Sequence, residues 1–158
     1  NIVMTQTNKA LDDSYALSIY QALRRLQQAA EVHAKRLSRF GGLTPLQLLI
    51  LQTLAVQDQL TASQLARCVS LSAATLSGVL ERLEGRGLVS RTRDEQDRRR
   101  HWLRLEPAGR AVLAEAPSLL PAHVLERFAE LEEWQRHALL AGLLRAADLF
   151  EAPEEEEG

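Results

Sequence analysis

Between Leu43 and Gly87 the chain announces a new helix three times. In "LTPLQ", Thr44 serves as an N-cap, Pro45 takes the first helical position and Gln47 completes a capping box. "LTASQ" repeats the device with Thr61 and Gln64, and "SLSAATL" supplies a third start at Ser72. The first turn of any helix leaves backbone N–H groups without partners, so acceptors placed this way pin each helix to a defined entry residue. Three pinned starts so close together admit only short helices joined by tight turns. The first runs to about Val56 and is apolar almost all round, which predicts burial. The second is short and ends near Val69, and the third stops around Gly85 and Gly87.

The flanks of this segment are also helical. Ile19, Leu23, Leu26, Ala30 and Leu37 recur at helical spacings, which predicts one long helix from Ser14 to Phe40, stopped by Gly41 and Gly42. Pro107 opens a later helix, Pro121 marks a break after Leu119 and Leu120, and a final helix runs from about Leu131 to Phe150. The apolar 46% of the 158 residues is mostly Leu and Ala, which favours helix and suffices for one compact core. No apolar run approaches the ~18 residues needed to span a bilayer, and no signal-peptide pattern opens the sequence. The single cysteine, Cys68, excludes an internal disulfide and fits a reducing cytoplasm.

One region breaks the helical pattern. "GLVSRTR" and "RHWLRLE" alternate apolar and polar residues, which predicts a β-hairpin whose loop, Asp94 to Arg100, is nearly all charged. Charge is distributed unevenly around it. From Thr61 to Arg104 nine arginines face five acids, whereas from Pro121 to Gly158 three arginines face ten, so the formal net charge of −2 hides a basic centre. A basic segment inside an acidic chain is a candidate surface for a polyanion.

The third helix of the capped series carries its own signal. Leu76, Val79, Leu80 and Leu83 form its buried stripe, leaving Ala74, Thr75, Gly78 and Arg82 outward with Ser77 and Glu81 at the border. A small, polar outer face lets a helix approach another macromolecule closely. Short helix, turn, amphipathic helix and charged hairpin, in that order, predict a winged helix-turn-helix: a mainly α fold with a small β-hairpin wing (α+β). In such a fold the second helix enters the major groove of DNA, roughly 12 Å wide, and the arginine-tipped wing reaches the adjacent minor groove. The acids of the loop hold and orient its arginines.

The segment "LSAATLSGVLERLEGRGLVSRTRDEQDRRRHWLRLEPAGRAVL", Leu71 to Leu113, resembles the MarR family of bacterial transcriptional regulators. The marks are the helix ending in "RLEGRGLVSR" and the "D..D.R" wing that leads to a Leu-x-x-x-Gly helix start. The resemblance implies a homodimer bound to a pseudo-palindromic operator in double-stranded DNA, and a regulator, most simply a repressor, that answers to a small-molecule effector. It implies that Asp97 pairs with a nearby arginine and that Arg98 or Arg99 enters the minor groove, with Arg100 beside them. Ser72, Ala74, Thr75, Ser77 and Gly78 would face the major groove, and Arg82 a phosphate. Two departures stand out. Leu105-Glu106 replaces the usual Leu-Thr at the end of the wing, so Pro107 must set the helix start. Gly78 occupies a position where a large polar residue is common, which shifts specificity toward DNA shape and phosphate contacts. The segments Leu23–Leu51 and Ala116–Phe150 are further similar to the MarR subgroup that controls ectoine and glycine-betaine genes, which implies an osmolyte or ionic signal.

These features divide the chain into a flexible N-terminus (1–13), a winged domain (43–106), a helical dimerisation region (14–42 and 107–150) and a disordered acidic tail (151–158). The first and last long helices carry more apolar residues than one small domain buries, which independently favours a dimer. His33 lies on the apolar stripe of the first helix, as a core or dimer-seam histidine; the family resemblance implies an effector pocket where the dimer base meets the winged domain, with His33, Arg36 one turn along and Trp102 of the hairpin as its candidate residues. The histidines at 33, 101, 123 and 137 have no metal-ligand spacing, and no cofactor motif occurs. Asp12-Asp13 and Glu132-Glu133 are adjacent and point to different helix faces, so they form no acid–base pair, and no nucleophile–base pair or phosphate loop suggests an enzyme. A winged-helix module that binds a protein instead of DNA is the alternative, but it has no need of Arg98, Arg99 and Arg100 beside Asp97.

Overall fold

The computed structural model describes residues 13–38 and 40–151. Its elements in chain order are α1 (Asp13–Leu37), α2 (Pro45–Val56), β1 (Leu60–Thr61), α3 (Ala62–Cys68), α4 (Ala73–Gly85), β2 (Val89–Arg93), β3 (His101–Leu105), α5 (Pro107–Glu115), α6 (Ala122–Glu130) and α7 (Glu133–Phe150). The three capped starts lie where local chemistry puts them. Thr44 Oγ1 accepts from Gln47 N at 3.1 Å while Gln47 Oε1 accepts from Thr44 N at 2.9 Å. Thr61 and Gln64 form the same reciprocal pair, and Ser72 Oγ accepts from Thr75 N at 3.2 Å.

The chain divides into two compact units, with Leu119 ending the first and Leu120 opening the second. The core of the first unit is built from Leu48, Ile50, Leu51 and Leu54 of α2, Leu65 of α3, Leu76, Leu80 and Leu83 of α4, and Leu103 of β3. All are essentially inaccessible to solvent, while Val79 is only half-buried. Truncating such a leucine to alanine typically costs about 2–5 kcal/mol, so this cluster fixes the mutual placement of the helices and the hairpin.

The sheet has three antiparallel strands in the order β1–β3–β2. The hairpin of β2 and β3 matches the expected one, with Val89 opposite Leu105 and Arg93 opposite His101. β1 is an addition: Leu60 pairs with Leu103 and Thr61 with Trp102. Two residues are too few to show alternation, so only the tertiary pairing reveals this strand.

Four boundaries differ from expectation. Helix α1 begins at Asp13, inside the segment expected to be flexible, and ends at Leu37 instead of Phe40. Phe40 N bonds back to Leu37 O and Leu43 N to Phe40 O, while Gly41 and Gly42 take φ of 55° and 69°, so the reversal begins before the glycines. Helix α5 stops at Glu115 because Pro117 disfavours helical backbone at Ala116, which takes ψ 143°. A helix not expected from residue spacing, α6, follows Pro121 in the second unit, and α7 starts at Glu133, two residues later than expected, where Gln135 Oε1 accepts from Glu132 N. The expectations for residues 1–12 and 152–158 lie outside the described residues.

Candidate nucleic-acid interface

The turn between α3 and α4 is closed by Leu71 N donating to Ala66 O at 2.9 Å, with Ser70 in the left-handed region at φ 54°. It sets the direction of α4. Leu76, Leu80 and Leu83 anchor the inner face of that helix, so Ser72, Ala74, Thr75, Gly78 and Arg82 are exposed and Ser77 is half-buried. Ser72 Oγ also donates to Thr75 Oγ1 at 2.9 Å, so the two hydroxyls at the helix start face each other. A Cβ placed on Gly78 would meet no atom within 4 Å, which leaves the middle of this face flat and open.

The hairpin is fastened to the same helix. Arg91 of β2 pairs with Glu84 of α4 at 3.1 Å, and both side chains are mostly covered. The Arg91 Nη2 atom is buried without a hydrogen-bond partner among the described residues. The wing loop is equally constrained. Asp94 N donates to Arg100 O at 3.0 Å and Arg100 N to Asp97 O at 2.9 Å, closing the loop with backbone bonds. The Asp97 carboxylate accepts from Arg99 N at 3.0 Å and Arg99 Nε at 3.3 Å, and lies 3.8 Å from Arg100 Nε. Arg98 and Arg100 are exposed, and the Arg99 side chain is 92% exposed. Asp94, the first acid of the "D..D.R" pattern, accepts from Gln96 N at 2.8 Å and from Trp102 Nε1 at 3.1 Å. Chiefly the Gln96 bond, with help from the Trp102 indole, holds its carboxyl below the usual aspartate range.

Of the three residues grouped as an effector pocket, His33 and Arg36 lie one turn apart on α1 and Trp102 lies on β3. Trp102 lines a cleft at the root of the wing that includes neither His33 nor Arg36. His33, on α1, lies with Nε2 3.1 Å from Ser118 O, and its Nδ1 is buried without a partner among the described residues. Arg36 is exposed. Cys68 is exposed in the last turn of α3. Among the described residues no cluster of metal-ligating side chains occurs, and no helix is long and apolar enough to cross a membrane.

A helix pair whose second member offers a smooth outer face, braced by an arginine-tipped hairpin, defines a winged helix-turn-helix protein of the DNA-binding class. Residues 43–101 match the MarR family. The chain is similar to the transcriptional regulator HosA of Escherichia coli, at 32% identity over 97 residues that cover 61% of this chain and 72% of HosA. It is similar in structure to the transcriptional repressor CouR bound to a 23-mer DNA duplex, with 34% identity, TM-score 0.65, and coverage of 80% of this chain and 89% of that one. It also shares the fold of Sco3205 from Streptomyces coelicolor, a MarR family regulator solved in complex with DNA, with 23% identity, TM-score 0.76, and coverage of 92% and 96%. The chain belongs to the MarR family and is a DNA-binding transcriptional regulator of that type.

Proposed function

We infer that the protein acts in the cytoplasm as a homodimeric repressor that grips a pseudo-palindromic operator and releases it on binding an effector. The observation that carries the DNA contact is the wing loop, where Asp97 braces Arg99 and leaves its guanidinium in solvent. Such a group meets a narrow, electronegative minor groove with little entropy left to lose. Ser72, Ala74, Thr75, Ser77 and Gly78 face the major groove, with Arg82 on a phosphate and Arg98 and Arg100 flanking Arg99 on the wing. Because Gly78 offers no side chain and the Ser72 and Thr75 hydroxyls engage each other, shape and phosphate contacts carry a large share of specificity.

Two-fold symmetry places two reading helices about one DNA turn apart. The effector changes that spacing by favouring one dimer geometry over another. His33 and Arg36 are the proposed effector contacts, supported by the partnerless Nδ1 of His33; Trp102 belongs to the wing. An osmolyte or the ionic environment is the proposed signal, on the similarity of residues 23–51 and 116–150 to the osmoadaptation subgroup.

The test is Arg99→Ala, assayed on the duplex that the wild-type protein enriches from a random pool. Loss of a groove-inserted arginine is expected to weaken binding by about 1–3 kcal/mol, roughly five- to 150-fold, at unchanged thermal stability. Normal affinity in that variant would refute the wing assignment.

A further inference from the structure

A cleft of about 280 Å³ lies between α3 and the root of the wing. The unforeseen strand pairing creates it, because Thr61 opposite Trp102 brings the start of α3 against residues 99–102. Arg67 of α3 and Arg99 and Arg100 of the wing line this cleft with Ser63 and Trp102, and no Asp or Glu does. Arg67 forms no ion pair among the described residues. Arg99 and Arg100 turn their Nε atoms toward Asp97, which leaves their terminal amino groups available. The indole of Trp102 is pinned by Asp94 and supplies an apolar wall.

We propose that this cleft seats one phosphate of the DNA backbone, with Arg67 and Arg100 reaching it from opposite sides. Three arginines line the cleft and a single carboxylate, Asp97, pairs with two of them from outside that lining, so the cleft keeps an excess of positive charge, and guanidinium forks match phosphate oxygens in pairs. The wall of Trp102 excludes water from one side, which strengthens each charged contact. A phosphate held here ties α3 and the wing to one strand and sets the register of α4 in its groove. The inference rests on the DNA-binding reading and adds Arg67 and Ser63 to the residues that serve it.

The test follows binding of the full chain to the enriched duplex and to a scrambled duplex by fluorescence anisotropy over a range of salt. Arg67 is exposed, so Arg67→Gln is expected to keep the melting temperature. It should weaken both duplexes by the same factor, about three- to tenfold, and lower the slope of log K against log salt by ~0.9, the loss of one phosphate contact. Arg67→Lys keeps the charge without the fork and should fall between. If Arg67→Gln matches the wild type while Arg99→Ala is weakened, the phosphate seat is wrong and the DNA-binding reading stands. A loss confined to the enriched duplex also overturns the seat, since a backbone contact carries no sequence information. Absence of any wild-type affinity at low salt overturns both.

Discussion

At the scale of the residue, the wing owes its shape to two carboxylates with different tasks. Asp97 braces the arginines of the tip, while Asp94 pins the base by accepting from Gln96 N and from the Trp102 indole. Because the Asp94 carboxyl is held below its ordinary value of 3.8, its ionised form favours the folded wing. That contribution is fully present above the unfolded-state value and is lost as pH falls through the lower folded one. The Trp102 indole N–H resonance is therefore expected to hold its position down to mildly acidic pH and to shift only below the ordinary aspartate range. Asp94→Asn should abolish that acidic step. A resonance indifferent to pH would show that the bond contributes nothing to the loop.

At the scale of the element, α5 illustrates how a missing cap is replaced. Glu106 makes no side-chain bond to the helix start, so the first turn relies on Pro107 and on Glu106 N donating to Leu88 O at 2.9 Å. That bond brings the helix so close to the hairpin entry that a Cβ on Gly109 would overlap the Leu88 carbonyl and the Leu105 side chain. Backbone cannot yield as a flexible side chain can. Gly109→Ala is expected to cost about 1–3 kcal/mol in chemical denaturation. Gly78→Ala, in open space within α4, is the matched control and should gain about 0.5–1 kcal/mol from helix propensity. Equal effects at the two glycines would contradict the close packing of α5.

At the scale of the whole molecule, the apolar surface is the feature to be explained. Tyr15, Leu17, Tyr20 and Leu26 of α1 are more than half exposed, and in the other unit Trp134, Leu140, Leu144 and Phe150 of α7 are too. No residue of α6 or α7 is buried. A monomer rarely leaves so much large apolar surface in water, and burial is worth roughly 25 cal/mol per Å². Sedimentation at micromolar concentration is accordingly expected to give twice the mass of the 158-residue chain. Replacing Leu140 and Leu144 together by Glu should yield monomers that lose DNA affinity while α2–α4 remain folded. A monomeric wild type would refute the proposed homodimer.

The sequence determined what local chemistry can determine. Reciprocal bonds across three residues pinned the starts of α2 and α3, a single N-cap bond from Thr75 N to Ser72 Oγ pinned that of α4, and alternation marked both arms of the hairpin with the loop between them. Asp97, Arg99 and Arg100 of the wing were legible for the same reason, since their partners are two or three residues away. Only the tertiary structure decided the rest. β1 is two residues whose pairing partner lies some forty positions on, α6 begins at a proline with no side-chain cap, and the partner of Trp102 is across the hairpin. His33 and Trp102, grouped as effector-pocket candidates on the family resemblance, have different neighbours because strand register and helix packing, which no local pattern encodes, govern contacts between distant residues.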